Sequence, residues 1–581
     1  MGVEEFSAPF SFSPILRPQI MDFFKNIPKP IWIFTAIWFV LGCLQAALMD
    51  LHPDEAYYWQ MSRFMDWGYF HQPPMIALFI KIGYTLLQSE LGVRLMTVLA
   101  SSAGVLMLFK LSETKDHRTF LLVFLGLILT HAGVLMAVPD SPLIFFTLIF
   151  LVLLKQYLKD DSILLALALG AVAAALMYSK YHAIVLFCSV LVAMPRLLVR
   201  RTFWLTAIVA TILFLPHVLW QIQHDMVSFK FHWVVREKKV WDIMVLLDYL
   251  AGQVIMLGPV GLILVVALFK LKERSQFDRI LIAIIIGFFG FFFVTALRGK
   301  VEANWTAVAF LPLIILGSRS IPHDKKLMRV LKPAAYFCGA ILVAARINVA
   351  SAWAGEGIKL NFPIKGWKQW AEAVRTKADG RPVFFSGTYQ YASQYSFYSG
   401  EQGYHISPLN YNGNQFELWD MDKQVNGQTI ALILGSGEDS TKAIKADGFR
   451  TMYLFEVENY KSFRNLRFLF PEKKFDVNAG DQLLLRGRLV NRTGSRIDLD
   501  SLLHERPTKM FFYLDGNQTA AEEIECDGCT GIIRNLEQKE VSFAVRIPDK
   551  AGRYFTRFGL YFALGMPEQN SDFIQLNVTD K

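Results

Sequence analysis

From residue 31 to residue 345 the chain alternates between long apolar runs and short polar connections, and this pattern sets its class before any single motif is considered. The runs lie near residues 31–48, 91–111, 120–138, 142–154, 163–177, 183–194, 203–219, 250–271, 280–297, 305–316 and 330–345. A helix needs about 20 apolar residues to cross a hydrocarbon core about 30 Å thick, so the pattern predicts about 11 transmembrane helices, some of them short. Beyond residue 350 the runs stop. The 366–375 stretch is amphipathic, 382–386 and 429–434 read as buried strands, and 389–398 lies between them, which predicts a small α/β unit. From about Lys474 the residues alternate between turns, at 482–489, 509–514, 541–547 and 554–564, as in an antiparallel β-sandwich. The fold class is therefore a polytopic α-helical membrane protein with a C-terminal soluble α/β unit and β-sandwich. The predicted division is a 1–30 cytoplasmic segment, a 31–349 membrane domain with a first loop at 49–90, a 350–470 α/β domain and a 471–581 sandwich.

Charge orients the bundle. With Arg17, Lys25 and Lys29 on the cytoplasmic side, alternate loops carry Lys115 and Arg118, Lys155 and Lys159, Arg196 to Arg201, Lys270 to Arg279, and Arg319 to Arg329. This is the positive-inside bias, and it sends the 49–72, 139–141, 179–182, 221–247 and 298–304 connections, with everything after about 350, to the exported face. The net charge of +9 is then a matter of topology and excludes nucleic acid as the partner. Composition agrees: 53% hydrophobic residues, 48 Phe, 13 Trp and a mean hydropathy of +0.33 exceed what a soluble core would bury. The first run has the length of a span and no small-residue cleavage pattern after it, so it reads as a retained helix rather than a signal peptide. Cys43, Cys188 and Cys338 lie in apolar runs; Cys526 and Cys529 form a local pair without the further ligands a zinc site needs, and read as a disulfide or two thiols.

The first exported loop carries the strongest chemical signal. Asp54 and Glu55 follow Pro53 directly after the first span, where a carboxylate meets both water and a lipid-borne substrate. An Asp after Pro at a helix start also reads as an N-cap, and the aromatic stretch around Tyr57, Tyr58, Trp59, Phe64 and Trp67 reads as a surface-lying belt. The 74–87 stretch is apolar but too short to cross comfortably, and is placed at the surface as well.

An Asp-Glu pair, aromatic surface helices and the segment Phe70-His71-Gln72-Pro73-Pro74 together resemble the polyprenyl-phosphate-sugar-dependent glycosyltransferases of the GT-C type. That superfamily includes protein O-mannosyltransferases (family 39) and the lipid A aminoarabinose transferases. The segments Val138-Pro139-Asp140-Ser141-Pro142 and Ser179-Lys180-Tyr181-His182 extend the resemblance, which covers roughly 31–345. His71 and Gln72 depart from the charged residue that relatives carry before the proline.

The resemblance implies that an acceptor hydroxyl attacks the anomeric carbon of a sugar on a polyprenyl phosphate, with inversion, on the exported face of a bacterial inner membrane, the C-terminal domains being periplasmic. The acceptor class stays open among lipid, protein and polysaccharide. Asp54 is assigned as general base and Glu55 as its assistant or orienter. A departing lipid phosphate needs cations. Candidates for substrate binding are Arg63, His71, Asp140, Lys180, Tyr181, His182, Arg298, Lys300 and Glu302, with Arg236 and Lys238 as further cations. Each has a plain alternative: Lys180 as a snorkelling helix end, Asp140 as an N-cap, 298–305 as an ordinary charged loop. His52, His71, Asp54 and Asp140 match no metal spacing, so neither metal nor cofactor is expected. The sandwich is expected to be structural. The alternative class is a lipid or solute transporter, which places ionisable groups at the midplane and shows internal repeats, neither evident here.

Overall fold

The computed structural model describes residues 25–232, 243–271, 274–351, 363, 365–407, 413–514, 517–561 and 568–580. They group into two compact units, one of residues up to 228 with 236–359, the other of 229–235 with 360–581. Arg236 and Lys238 lie outside the described residues.

The first unit is helical. Eight helices among the described residues are long and apolar enough to cross a membrane: Lys29–Leu48, Glu90–Ser112, Asp140–Lys159, Arg201–Gln223, Ile243–Phe269, Gln276–Ala296, Ala303–His323 and Lys325–Ala350. Two more predicted spans are the shorter apolar helices Ile163–Ser179 and Ala183–Ala193. The remaining one, 120–138, is broken into His117–Leu125 and Ile128–Leu135. The break falls at Gly126, where a Cβ would stand 2.6 Å from Val260 Cγ2. The Thr130 hydroxyl donates to the carbonyls of Phe124 and Leu127 at 2.6 and 2.8 Å, satisfying acceptors that the interrupted helix frees. The core is chiefly aliphatic and aromatic, with Phe120, Leu151, Leu264, Ile284 and Phe288 fully buried. In contrast, Trp32, Leu44, Trp204, Ile212 and Phe269 are exposed on the outside of the bundle, the arrangement a lipid solvent requires.

The second unit begins with a five-stranded sheet in the order β2-β1-β3-β5-β4, with β1 Val383–Ser386, β2 Gly403–Ile406, β3 Ile430–Leu434, β4 Ala443–Ile444 and β5 Met452–Val457. The first three pair in parallel, and β5 runs antiparallel to β3. Helix Trp367–Ala378 buries Trp367 and Trp370 in this unit, and Tyr389–Ser399 is the β1-to-β2 crossover. The sandwich pairs a five-stranded sheet with a three-stranded one. Its three-stranded sheet starts earlier in the chain than 471, because Leu466–Leu469 pairs with Gln482–Asn491. It is antiparallel except at one edge, where Ile574–Thr579 runs parallel to Lys474–Asn478. Phe468, Phe543 and Phe558 meet between the sheets, with ring centroids 4.5 to 6.0 Å apart. Cys526 and Cys529 are joined as a disulfide.

Within this unit a buried polar seam joins the α/β part to the sandwich. Arg464 donates to Asp420 and Asp422 at 3.0 and 2.9 Å, and Glu568, 6% exposed, accepts from the Phe463 amide at 2.9 Å. Burial, with the Asp422 charge adding to it against Arg506 and Arg464, pushes the Glu568 carboxyl up to about 7 from 4.5. An acid whose folded value lies above its unfolded one contributes stability that is full below the unfolded value and lost as pH rises through the folded value. The expected contribution of Glu568 to unfolding therefore falls by about 3 kcal/mol between acid and alkaline conditions. Thermal unfolding of wild type and Glu568→Gln across that range checks this: the variant should lose the decline. Parallel curves would show that Glu568 does not titrate there.

Candidate active site

Helix Pro53–Arg63 opens with a capping box. The cap is His52: its Nδ1 accepts from the Asp54 amide at 3.2 Å, while the Glu55 carboxylate accepts from the His52 amide at 2.9 Å. Asp54 is thus the second residue of the helix rather than its N-cap, and its carboxylate is not consumed by capping. It remains 41% exposed, beside His52 at 3.8 Å and over a helix N-terminus that favours negative charge.

Glu55 is its opposite, with no exposure at all. Arg94, equally buried, donates to Glu55 Oε1 from Nε at 2.8 Å and to Oε2 from Nη2 at 2.5 Å. Its other N–H groups reach the carbonyls of Ala46, Met49 and Asp50 at 3.1, 2.8 and 2.8 Å, which are acceptors left over at the end of the first span. Glu55 Oε1 also takes the Ala137 amide at 2.8 Å. One ion pair therefore ties the first span, the loop helix and the segment leading to Asp140. Burial pushes the Glu55 carboxyl up, but the Arg94 charge and hydrogen bonds, with the Ala137 and His52 amides, outweigh it and hold it below the usual carboxylate range. Both oxygens are committed, so Glu55 orients the loop and offers no free lone pair for a proton.

The 138–142 and 179–182 segments meet. Lys180 Nζ donates to both oxygens of Asp140, at 2.9 and 3.0 Å, and Asn304 Nδ2 donates to Asp140 Oδ2 at 2.9 Å. Both charged residues are more than nine-tenths buried, so Lys180 does not snorkel. Asp140 makes no capping bond at the start of its helix. Tyr58, one helical turn after Asp54 on the same face, links the two groups electrostatically: burial first, then the charges of Asp54 and Asp140, raise its phenol well above the usual value. The hydroxyl therefore stays protonated.

Other sequence candidates lie differently. Lys300 pairs with Glu302 at 3.0 Å in an exposed position, and Arg298 is exposed; of that run it is Asn304 that reaches Asp140. Arg63 lies over the Trp59 ring at 5.2 Å, and His71 packs on Phe70 and Tyr57. His182 is enclosed by the rings of Phe292 and Trp305. Tyr181 enters a network that pins the first loop to helix Arg201–Gln223: its hydroxyl meets His217 Nε2 at 2.9 Å, His217 Nδ1 meets the Trp67 carbonyl at 2.7 Å, and Trp220 Nε1 donates to Asp66 at 2.7 Å. Gly68 makes this approach possible, since a Cβ there would stand 2.4 Å from the Trp220 ring. Among the described residues no group of three or more His, Cys, Asp and Glu side chains is arranged to hold a metal, and His52, His71, Asp54 and Asp140 do not converge on one point.

Sequence reasoning missed Arg94, Asn304 and Tyr58. Arg94 had a signal, a charge inside an otherwise apolar run, which calls for a named partner. Asn304 had none, because an amide in a polar loop is unremarkable until its neighbour is known.

These features define a multi-pass membrane protein whose helix-end loops gather a shielded carboxylate–arginine pair, a carboxylate–lysine pair and a partly exposed aspartate. Residues 71–220 match the family described as dolichyl-phosphate-mannose-protein mannosyltransferase. The chain is similar to the lipid A galacturonosyltransferase RgtD of Rhizobium johnstonii, 26% identical over 286 residues that cover 46% of this chain and 60% of that protein. Arabinosyltransferase EmbB from Mycobacterium smegmatis aligns in structure over 98% of this chain and 66% of its own, with a TM-score of 0.33 and 11% identity. The match over residues 71–220 and the likeness to RgtD agree with the GT-C glycosyltransferase resemblance carried by the first loop.

Proposed function

We propose that the protein transfers a sugar from a polyprenyl-phosphate carrier to an acceptor hydroxyl at the exported face of a bacterial inner membrane. Asp54 is the general base. The acceptor oxygen forms its bond to the anomeric carbon as the bond from that carbon to the phosphate oxygen breaks; the proton passes to the Asp54 carboxylate, the bonding pair leaves with the lipid phosphate, and the configuration inverts. The observation that carries this reading is the division of labour between adjacent carboxylates: Glu55 is buried and committed to Arg94 and to the Ala137 and His52 amides, while Asp54 is 41% exposed above a helix N-terminus. Lys180 has a third N–H beyond the two it gives Asp140, and that proton is available to a phosphate oxygen. The lipid A galacturonosyltransferase likeness favours a lipid acceptor and a glycosyl donor.

The test is transfer of labelled sugar from a panel of polyprenyl-phosphate sugars by the purified protein, with membrane extract as acceptor. Incorporation from one donor, with inverted configuration in the product, is the expected result. No incorporation from any donor by a folded protein would remove the reading.

A further inference from the structure

The apolar run 330–345 ends one residue short of Arg346, and the helix does not end there: it continues to Ser351, so that Arg346 is carried inside the last span. Its surroundings are built rather than incidental. Nε donates to Gln45 Oε1 at 2.6 Å, Gln45 Nε2 returns a bond to the Arg346 carbonyl at 3.3 Å, and the guanidinium carbon lies 4.8 Å from the centre of the Trp38 ring. Trp38 is 3% exposed and is itself held, donating to Ser101 Oγ at 3.1 Å and packing on Phe34, Phe124 and His131. Arg346 makes no ion pair among the described residues, whereas Arg94, Lys180 and Lys300 each face a carboxylate. Gln45 sits next to Ala46, whose carbonyl receives Arg94, so this arginine lies at the same end of the bundle as the Asp54 loop. The flanks of the seam are open to lipid: Leu41, Leu44 and Leu48 on the first span and Val343 and Ile347 on the last are exposed.

An uncompensated guanidinium within a span is costly unless something anionic meets it. Here one edge of its fork is occupied by Gln45 and one face by Trp38, which leaves the terminal edge, with two N–H groups side by side, fixed in direction. That edge matches two oxygens of a phosphate. We propose that Arg346, oriented by Gln45 and Trp38, binds the phosphate of a membrane amphiphile that enters laterally between the first and last spans. The chemistry is shared by an anionic phospholipid and by a polyprenyl phosphate. The site is independent of the transfer reading in the first case and rests on it in the second.

The test is native mass spectrometry of the purified full-length protein titrated with phosphatidylglycerol, phosphatidylcholine or a polyprenyl monophosphate. Wild type is expected to retain one anionic lipid at about tenfold lower concentration than the zwitterionic one, the scale of one charge-assisted hydrogen-bonded contact. Arg346→Gln should abolish that preference, and Gln45→Leu should reduce it while the charge remains. Equal loss for both anionic probes identifies a bulk phospholipid; loss confined to the polyprenyl phosphate identifies the carrier. Should Arg346→Gln fail to fold, Arg346→Lys keeps the charge but not the paired edge, and is expected to lose most of the preference. The proposal is overturned if wild type binds the anionic probes no better than phosphatidylcholine, or if a folded Arg346 variant keeps the preference. Asp54→Asn serves as the control: lipid retention should be unchanged even where transfer fails, so the two readings fall separately.

Discussion

Asp54→Asn is expected to lower kcat for glycosyl transfer by about 10²–10⁴-fold, the contribution of a positioned general base, while KM for the lipid donor changes little. The substitution keeps the volume of the side chain and removes only its ability to take a proton. The capping box, built from His52 and Glu55, and the Glu55–Arg94 ion pair both stay in place. The split between kcat and KM is therefore the diagnostic. A rise in KM with unchanged kcat would make Asp54 a binding group, and a rate like that of wild type would remove it from the reaction.

Glu55→Gln is expected to act through structure. It leaves the Arg94 guanidinium buried without a counter-charge, a change that costs about 3–5 kcal/mol in proteins. A lowered unfolding temperature of the purified membrane protein, with loss of transfer, is the predicted pair of observations. Because the Glu55 carboxyl lies below its unfolded value, its contribution is present above the ordinary carboxylate range and disappears as pH falls through the folded value; the variant's deficit should shrink accordingly in acid. The double variant Glu55→Gln with Arg94→Met separates stability from positioning. Removing both charges should recover part of the lost stability, but not all, because the carbonyls of Ala46, Met49 and Asp50 also lose their donor. Transfer should remain impaired, since the loop has lost the Arg94 bonds that tie it to the end of the first span. Full activity in the double variant would show that the pair is dispensable for aligning Asp54.

The two adjacent carboxylates illustrate how legible this site was. Their position after the first span marked them as chemical candidates and the family resemblance assigned Asp54 as base, yet composition and spacing give no physical ground for telling Asp54 from Glu55. The distinction is made by Arg94, 39 residues beyond Glu55, whose place in an apolar run calls for a partner without saying which carboxylate supplies it. The same holds for the Asp140–Lys180 pair, whose members are 40 residues apart. Each is readable as a helix-end residue with a local role, and only their mutual approach shows that neither caps nor snorkels. Conversely, the run 298–305 looked chemically rich because of its charges, and the structure leaves those charges exposed while using the neutral Asn304. Counting runs also misjudged the 120–138 segment, because Gly126 and the Thr130 hydroxyl permit a break inside a sequence apolar enough for one helix.

What the sequence determined by itself is the membrane class, the helical bundle, the strand-rich C-terminal unit and the loop that carries Asp54. These follow from hydrophobic period and from the insolubility of unpaired backbone in lipid, both of which are local properties. What the tertiary structure alone decided is which charges are paired. In a medium of low dielectric constant a charge must find its partner within a few ångströms, and which residues come that close is a property of helix packing rather than of spacing along the chain. That pairing withdraws Glu55, engages Lys180 with Asp140, and leaves Asp54 partly exposed at the start of its helix.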